Sequence, residues 1–235
     1  MTDGPAAHRD AAAPSAATAR EQLLALAARG VSWQGHLGRV AGPSARPAAV
    51  LVLFGVLDTR PGLHAADAVP ADLDVLLVGR AATLRHHSGQ VAFPGGRVDP
   101  GDAGPQDAAV REAVEETGLD AGGVDVLGTL GEVAVPVSDH LVTPVLAWWS
   151  RPSPVGVVDA GESAHVFRAP VADLLDPANR RVTEHRTGGA VYRSPAFLAG
   201  EHLVWGFTAI VLDRVFDAVG WTEPWDRRRT VPAPV

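Results

Sequence analysis

The stretch from Gly89 to Leu119, GQVAFPGGRVDPGDAGPQDAAVREAVEETGL, constrains this chain more than any other. It opens as a short apolar strand, Val91 to Phe93, and breaks at Pro94-Gly95-Gly96. A loop rich in Asp, Gly and Pro leads to Pro105, a favourable first helical residue. The helix should end at Gly118, since glycine tolerates the left-handed C-terminal turn. At about 100° per residue, Val110, Ala113, Val114 and Thr117 fall on one side, and Glu112, Glu115 and Glu116 cluster on the other. The apolar side has a core to meet. The carboxylates repel one another by about 0.2–0.5 kcal/mol per pair and sit late in the helix, where its dipole disfavours anions. Arg111, four residues before Glu115, is the one local compensation. A solvated acidic face is one reading of the triad. A hard divalent cation is the other, because Mg²⁺ is held by a few carboxylate oxygens together with substrate phosphates and water.

Gly96, Asp102, Arg111, Glu112, Glu115, Glu116, Gly118 and Leu119 together resemble the Nudix hydrolase signature. Two positions depart from it. Asp102 stands where the general pattern has Glu, and eight residues rather than seven separate it from Arg111. Both departures are similar to the coenzyme A diphosphatase subgroup. The upstream segment LLVGRAATLRHHSGQVAFPGG, from Leu76 to Gly96, also resembles that subgroup's motif at every fixed position except Val78 for Thr and Ala81 for Ser. The resemblance implies an α/β (α+β) Nudix fold, a mixed β-sheet sandwiched between helices, and Mg²⁺ or Mn²⁺ as cofactor. It covers most of Ala48 to Val219, and only Leu76 to Leu119 is specific.

Composition narrows the setting. At 235 residues and 46% apolar, the chain suits one globular domain with tails. With no cysteine, neither disulfides nor thiolate zinc sites are available. No apolar run approaches the about 20 residues of a membrane span, and the N-terminus lacks a secretion-signal pattern. The expectation is a cytoplasmic protein with no membrane partner. Every basic residue is Arg, so an anionic ligand must be held by Arg, His or backbone N–H groups. A net charge of −7 argues against general nucleic-acid binding. A homodimer is compatible with the sequence, which points to no interface.

Residues 1–18 are expected to be a disordered tail, 19–46 a short helix and linker, 47–220 the Nudix domain and 221–235 a C-terminal tail. In the helix Ala19 to Ala28, Leu23, Leu24 and Ala27 form the apolar stripe. Ala48 to Leu57 reads as a strand buried on both faces, and Asp74 to Arg80 as the next. Val124 to Val137 suits one or two strands, and Leu141 to Trp149 another, with Pro144 predicting an edge position or a bulge. Ala164 to Ala169 reads as a strand and Pro170 to Leu175 as a short helix. Val182 to Arg186 and Ala190 to Arg193 bracket a hairpin turn, and Trp205 to Val219 is the second strong helix, with Thr208 a candidate cap.

Gly95 and Gly96 let the backbone approach closely, so the loop can bring the carboxylate face against a neighbouring strand and a substrate diphosphate. The resemblance implies Glu112, Glu115 and Glu116 as metal ligands, and Arg111 as a structural ion-pair partner of a glutamate. By the same resemblance Glu115, Glu116 and Glu162 are expected to be the catalytic carboxylates, with Glu162, similar in position to a loop glutamate of the subgroup, or Glu116 as the base and Glu132 and Asp139 weaker candidates. Arg80 and Arg85 are assigned to the substrate phosphates. The small-molecule substrate is expected to be coenzyme A or a derivative. ADP-ribose or NADH would use the same mechanism, and a catalytically silent nucleotide-binding module is the reading from another class.

Overall fold

Strand β1 (Arg46–Val56) sorts the core into two. Its side chains alternate between the faces of the sheet. Val52 and Phe54 join a cluster with Leu23, Leu26, Val211 and Phe216, whereas Ala49, Leu51 and Leu53 join one with Ala108, Ala109 and Ala113. The computed structural model describes residues 14–33, 42, 44–56, 61–81, 90–135, 138–161, 163–187 and 190–234.

Around β1 lie β2 (Leu73–Arg80), antiparallel, and β7 (His140–Trp149), parallel. Short strands β3 (Val91–Ala92) and β4 (Gly95–Arg97) pair with β2 and β1. Strands β5 (Val124–Thr129) and β6 (Val133–Val135) line the other side of β7, and β8 (Ser163–Pro170) pairs with β2. Helix α2 (Pro105–Thr117) covers one face. Helices α1 (Ala16–Arg29) and α4 (Gly206–Val219) cover the other. The mixed sheet between helices is therefore present.

A short helix, α3 (Val171–Leu175), leads into a second sheet of β9 (Arg180–Thr187), β10 (Ala190–Ala199), β11 (His202–Val204) and β12 (Thr230–Pro232). Arg180, fully buried, pairs with Asp213 of α4 and lies between the rings of Phe197 and Trp225.

Local expectations change where tertiary contacts decide. In α1 the buried stripe is Ala19, Leu23 and Leu26, and Leu24 is 44% exposed. In α2 the buried positions are Ala108, Ala109, Ala113 and Thr117, while Val114 faces solvent. The sequence placed the stripe by residue size, but a helix pressed close to a sheet presents its alanines. Pro144 sits in an interior strand, opposite Val50 of β1. Its missing N–H falls on the other side of β7, where β6 pairing ends at Val142 and β5 pairing begins at Val145, and its carbonyl accepts from Leu130 N–H. Thr208 is no cap, since its hydroxyl donates to Val91 O at 3.1 Å and ties α4 to β3. Residues after Val219, read as uncommitted, supply Trp221 to the core and strand β12 to the second sheet.

Two stability predictions follow from buried side chains. The Trp221 ring lies 6.1 Å from both Phe54 and Phe216, and its Nε1 donates to Gln22 Oε1 at 2.7 Å. Trp221→Ala is expected to cost about 3–5 kcal/mol in chemical denaturation. Burial pushes the Asp74 carboxyl up to about 6, with Arg168 opposing and Asp72 and Asp173 adding to the rise. A raised acid favours the folded state fully below its unfolded value near 3.8 and loses that contribution as pH rises through about 6. Asp74→Asn should therefore melt higher than the parent at pH 7, with the gap closing below pH 4, as thermal scans across pH would register.

Candidate active site

Where β1 leaves β2 it acquires β4. The pairing runs Phe54↔Val75 to Val56↔Leu73 at one end and Ala48↔Arg97 to Val50↔Gly95 at the other. Gly95 has φ 158°, outside the range of L side chains, and a Cβ there would strike Ala49 O and lie 2.6 Å from Val50 Cα. Its N–H donates to Glu116 Oε2 at 3.1 Å. A Cβ on the next residue, Gly96, would fall on the Glu112 carboxylate. Two carboxylates one helical turn apart thus rest against the bare backbone of two glycines.

The loop after β4 is fixed by its own acids. Asp102 Oδ2 accepts from Asp99 N–H at 2.7 Å, and both its oxygens accept from Arg111, Nε at 2.9 Å and Nη2 at 3.0 Å. Arg111 Nη1 donates to Glu112 Oε1 at 3.1 Å and Glu115 Oε2 at 3.2 Å, and Nη2 also reaches Arg97 O at 3.0 Å. A guanidinium has five N–H donors, and these five bonds use them all. The Asp102 side chain is 4% exposed. Its bonds from Arg111 and the Asp99 backbone hold its carboxyl below the usual range. The eight-residue spacing and the shorter acid together let Asp102 meet Arg111 from a tight turn. The sequence had marked both departures without giving Asp102 a task. A carboxylate joined to an invariantly charged Arg by a Gly-rich turn was the available signal.

The remaining carboxylates differ. Glu112 is mostly covered, and burial raises its carboxyl above the usual range; Arg111 opposes, and Glu115 and Asp99 add to the rise. Glu115, with its side chain 58% exposed, leans toward Arg111 and solvent. Among the described residues no three His, Asp or Glu side chains converge as a ready-made metal cluster. The donor set still fits a hard divalent cation, which takes one or two carboxylates and completes its shell from substrate phosphates and water.

Arg80 ends β2, at an irregularity in its pairing with β8. Its Nε is buried and lacks a hydrogen-bond partner among the described residues. Arg85 and Glu162 lie outside the described residues. Glu132 is exposed ahead of β6, and Asp139 accepts from Ser44 Oγ at 3.1 Å beside β7.

Residues 63–178 match a family profile described as NUDIX domain. The mitochondrial coenzyme A diphosphatase NUDT8 of Homo sapiens is 36% identical over 178 residues, 75% of this chain and 71% of that one. The Nudix hydrolase NudL of Photorhabdus laumondii is 33% identical over 153 residues, 62% of this chain and 76% of that one. The NudL of Cronobacter sakazakii is 38% identical over 153 residues, 62% of this chain and 75% of that one.

The two glycines should separate by experiment. Gly95→Ala forces a Cβ into β1 backbone and is expected to lower the melting temperature, at a cost of about 1–3 kcal/mol or more. Gly96→Ala meets only the end of a flexible side chain. It should leave the melt nearly unchanged while weakening Mn²⁺ binding about tenfold or more, measured by calorimetry.

Proposed function

Because the chain belongs to the Nudix hydrolase family, we propose that it hydrolyses the diphosphate bond of coenzyme A, its thioesters or its oxidised forms. The products would be 3',5'-ADP and 4'-phosphopantetheine or the matching derivative. One observation carries the reaction class: Glu112 and Glu116, one turn apart, lie against the bare backbone of Gly95 and Gly96. The substrate reading rests on the Leu76-to-Gly96 segment and on the human relative, whose name is that of a coenzyme A diphosphatase.

Glu112 and Glu116 would hold Mg²⁺ or Mn²⁺, with Glu115 adding or orienting a ligand. The bound ion would neutralise diphosphate oxygens and lower the pKa of a water. The chain's own groups set the geometry. Gly95 N–H fixes one oxygen of Glu116. Arg111 bonds the Glu112 carboxylate through Nη1 and is itself held by Asp102, which gives it a positioning role. Arg80 and Arg85 are assigned to the phosphates. The water oxygen bonds to phosphorus as the bridging P–O bond breaks. Its proton passes to a carboxylate among Glu115, Glu116 and Glu162, and the leaving phosphate carries away the bond's electron pair.

The substrate is a small anion. Among the described residues no helix is long and apolar enough to cross a membrane. A cytoplasmic address is not fixed by the relatives, since the human relative is named as mitochondrial.

Glu116→Gln should lower turnover of coenzyme A on the order of a hundredfold or more while the far-ultraviolet circular dichroism persists. Separating products from coenzyme A, ADP-ribose and NADH incubated with Mg²⁺ tests the substrate. Turnover of ADP-ribose without coenzyme A would overturn the assignment, and no turnover of any would favour the silent binding module.

A further inference from the structure

The sheet carries two arginines and a histidine with no task so far. Arg97 follows Gly96 on β4 and lies opposite Ala48 of β1. Arg46, two residues before Ala48, lies opposite His140 of β7. Paired strand residues share a face, as do residues two apart along a strand. Arg97, Arg46 and His140 therefore form a row across three strands, on the face opposite Gly96 and Glu112. With strands about 4.8 Å apart, the row spans on the order of 10 Å.

Its chemistry is that of donors. Both arginines are exposed, His140 is half-buried, and among the described residues neither guanidinium has an ion-pair partner. Burial, then Arg46 and Arg97, keep the His140 imidazole below its usual range, so the three lie within electrostatic reach. The neighbouring carboxylate, Asp139, opposes that shift and is engaged by Ser44 Oγ. In a chain of net charge −7, the two exposed guanidinium groups facing one way beside a neutral imidazole make a local positive patch. Two forked guanidinium groups beside an imidazole suit the oxygens of a phosphomonoester. Among the described strands β4 pairs only with β1, and at its other edge Gly95 N–H and Arg97 O bond to Glu116 and Arg111 of α2, so the row begins one residue beyond the carboxylate site. A ligand whose diphosphate lies at Gly95 and Gly96 reaches the row at Arg97.

We propose that Arg97, Arg46 and His140 bind a phosphomonoester on the nucleoside half of the substrate, a group separate from the diphosphate that is cut. This rests on the coenzyme A reading, which supplies a 3'-phosphate of that kind, and it gives Arg80 and the row different phosphates.

Calorimetry on the full chain would compare 3',5'-ADP, AMP and inorganic phosphate, for the parent, Arg46→Ser/Arg97→Ser and Arg97→Ser alone, each checked by thermal melt. The parent should bind 3',5'-ADP about tenfold or more tightly than AMP, with the preference falling toward unity in the double variant and part-way in the single one. Should the double variant not fold, the single variant decides. Equal affinity for the two nucleotides in the parent, or an unchanged preference in the folded variants, would overturn the proposal. So would inorganic phosphate binding as tightly as 3',5'-ADP, which would make the row a free-phosphate site. Coenzyme A turnover by the parent is scored separately: preference without turnover removes the coenzyme A assignment and keeps the row, and turnover without preference does the reverse.

Discussion

The Arg111 guanidinium is the junction on which the candidate site depends. Its five N–H groups reach the loop at Asp102, the β4 backbone at Arg97, and the helix at Glu112 and Glu115. Three pieces of chain are thereby fixed to one planar group. The nearly covered Asp102 carboxylate makes the arrangement two-sided, because a buried charge stripped of its partner is strongly destabilising. Arg111 thus holds the loop and aims a glutamate in a single set of bonds, and neither task separates from the other. Lysine, with three donors on one atom, has no equivalent geometry.

The sheet supplies the seam in which that junction works. Strand β1 keeps its centre packed on both faces, so its path is rigid, yet its partner changes from β2 to β4 along its length. Leu51 N–H bonds to Pro94 O where the change occurs. Two glycines placed there leave room for the Glu112 and Glu116 carboxylates to lie against the strand backbone.

How much of this was legible in the sequence depends on the range of the interactions. Helix α2 announced itself locally, through Pro105 at its start and Gly118 at its end, where φ is 71°. Strand β1 did so through an unbroken apolar run. The carboxylate set and the glycine pair were legible because their chemistry is carried by adjacent residues. What escaped was set across the fold. Leu24 and Val114 are as apolar as their buried neighbours, and only the distance between helix and sheet decides that alanines fill the contact. Pro144 breaks an edge-strand rule because two short strands abandon β7 at that spot. Trp221 and β12 follow a helix in a Pro- and Arg-rich stretch with no periodicity, and their partners lie far away in the chain.

That last feature bears on how the chain is made. Gln22, near the start, bonds to Trp221 across 199 positions, and β12 runs parallel to β9, the pairing that requires a long crossover. The face of the core shared by α1 and α4 cannot be sealed while the ribosome is still adding residues in the 220s. Through most of synthesis the Leu23, Phe54 and Phe216 side of the sheet stays uncovered. Its closure is non-local, and therefore slow beside packing among near neighbours in the chain. The α2 face, built from residues 49–149, is complete well before then.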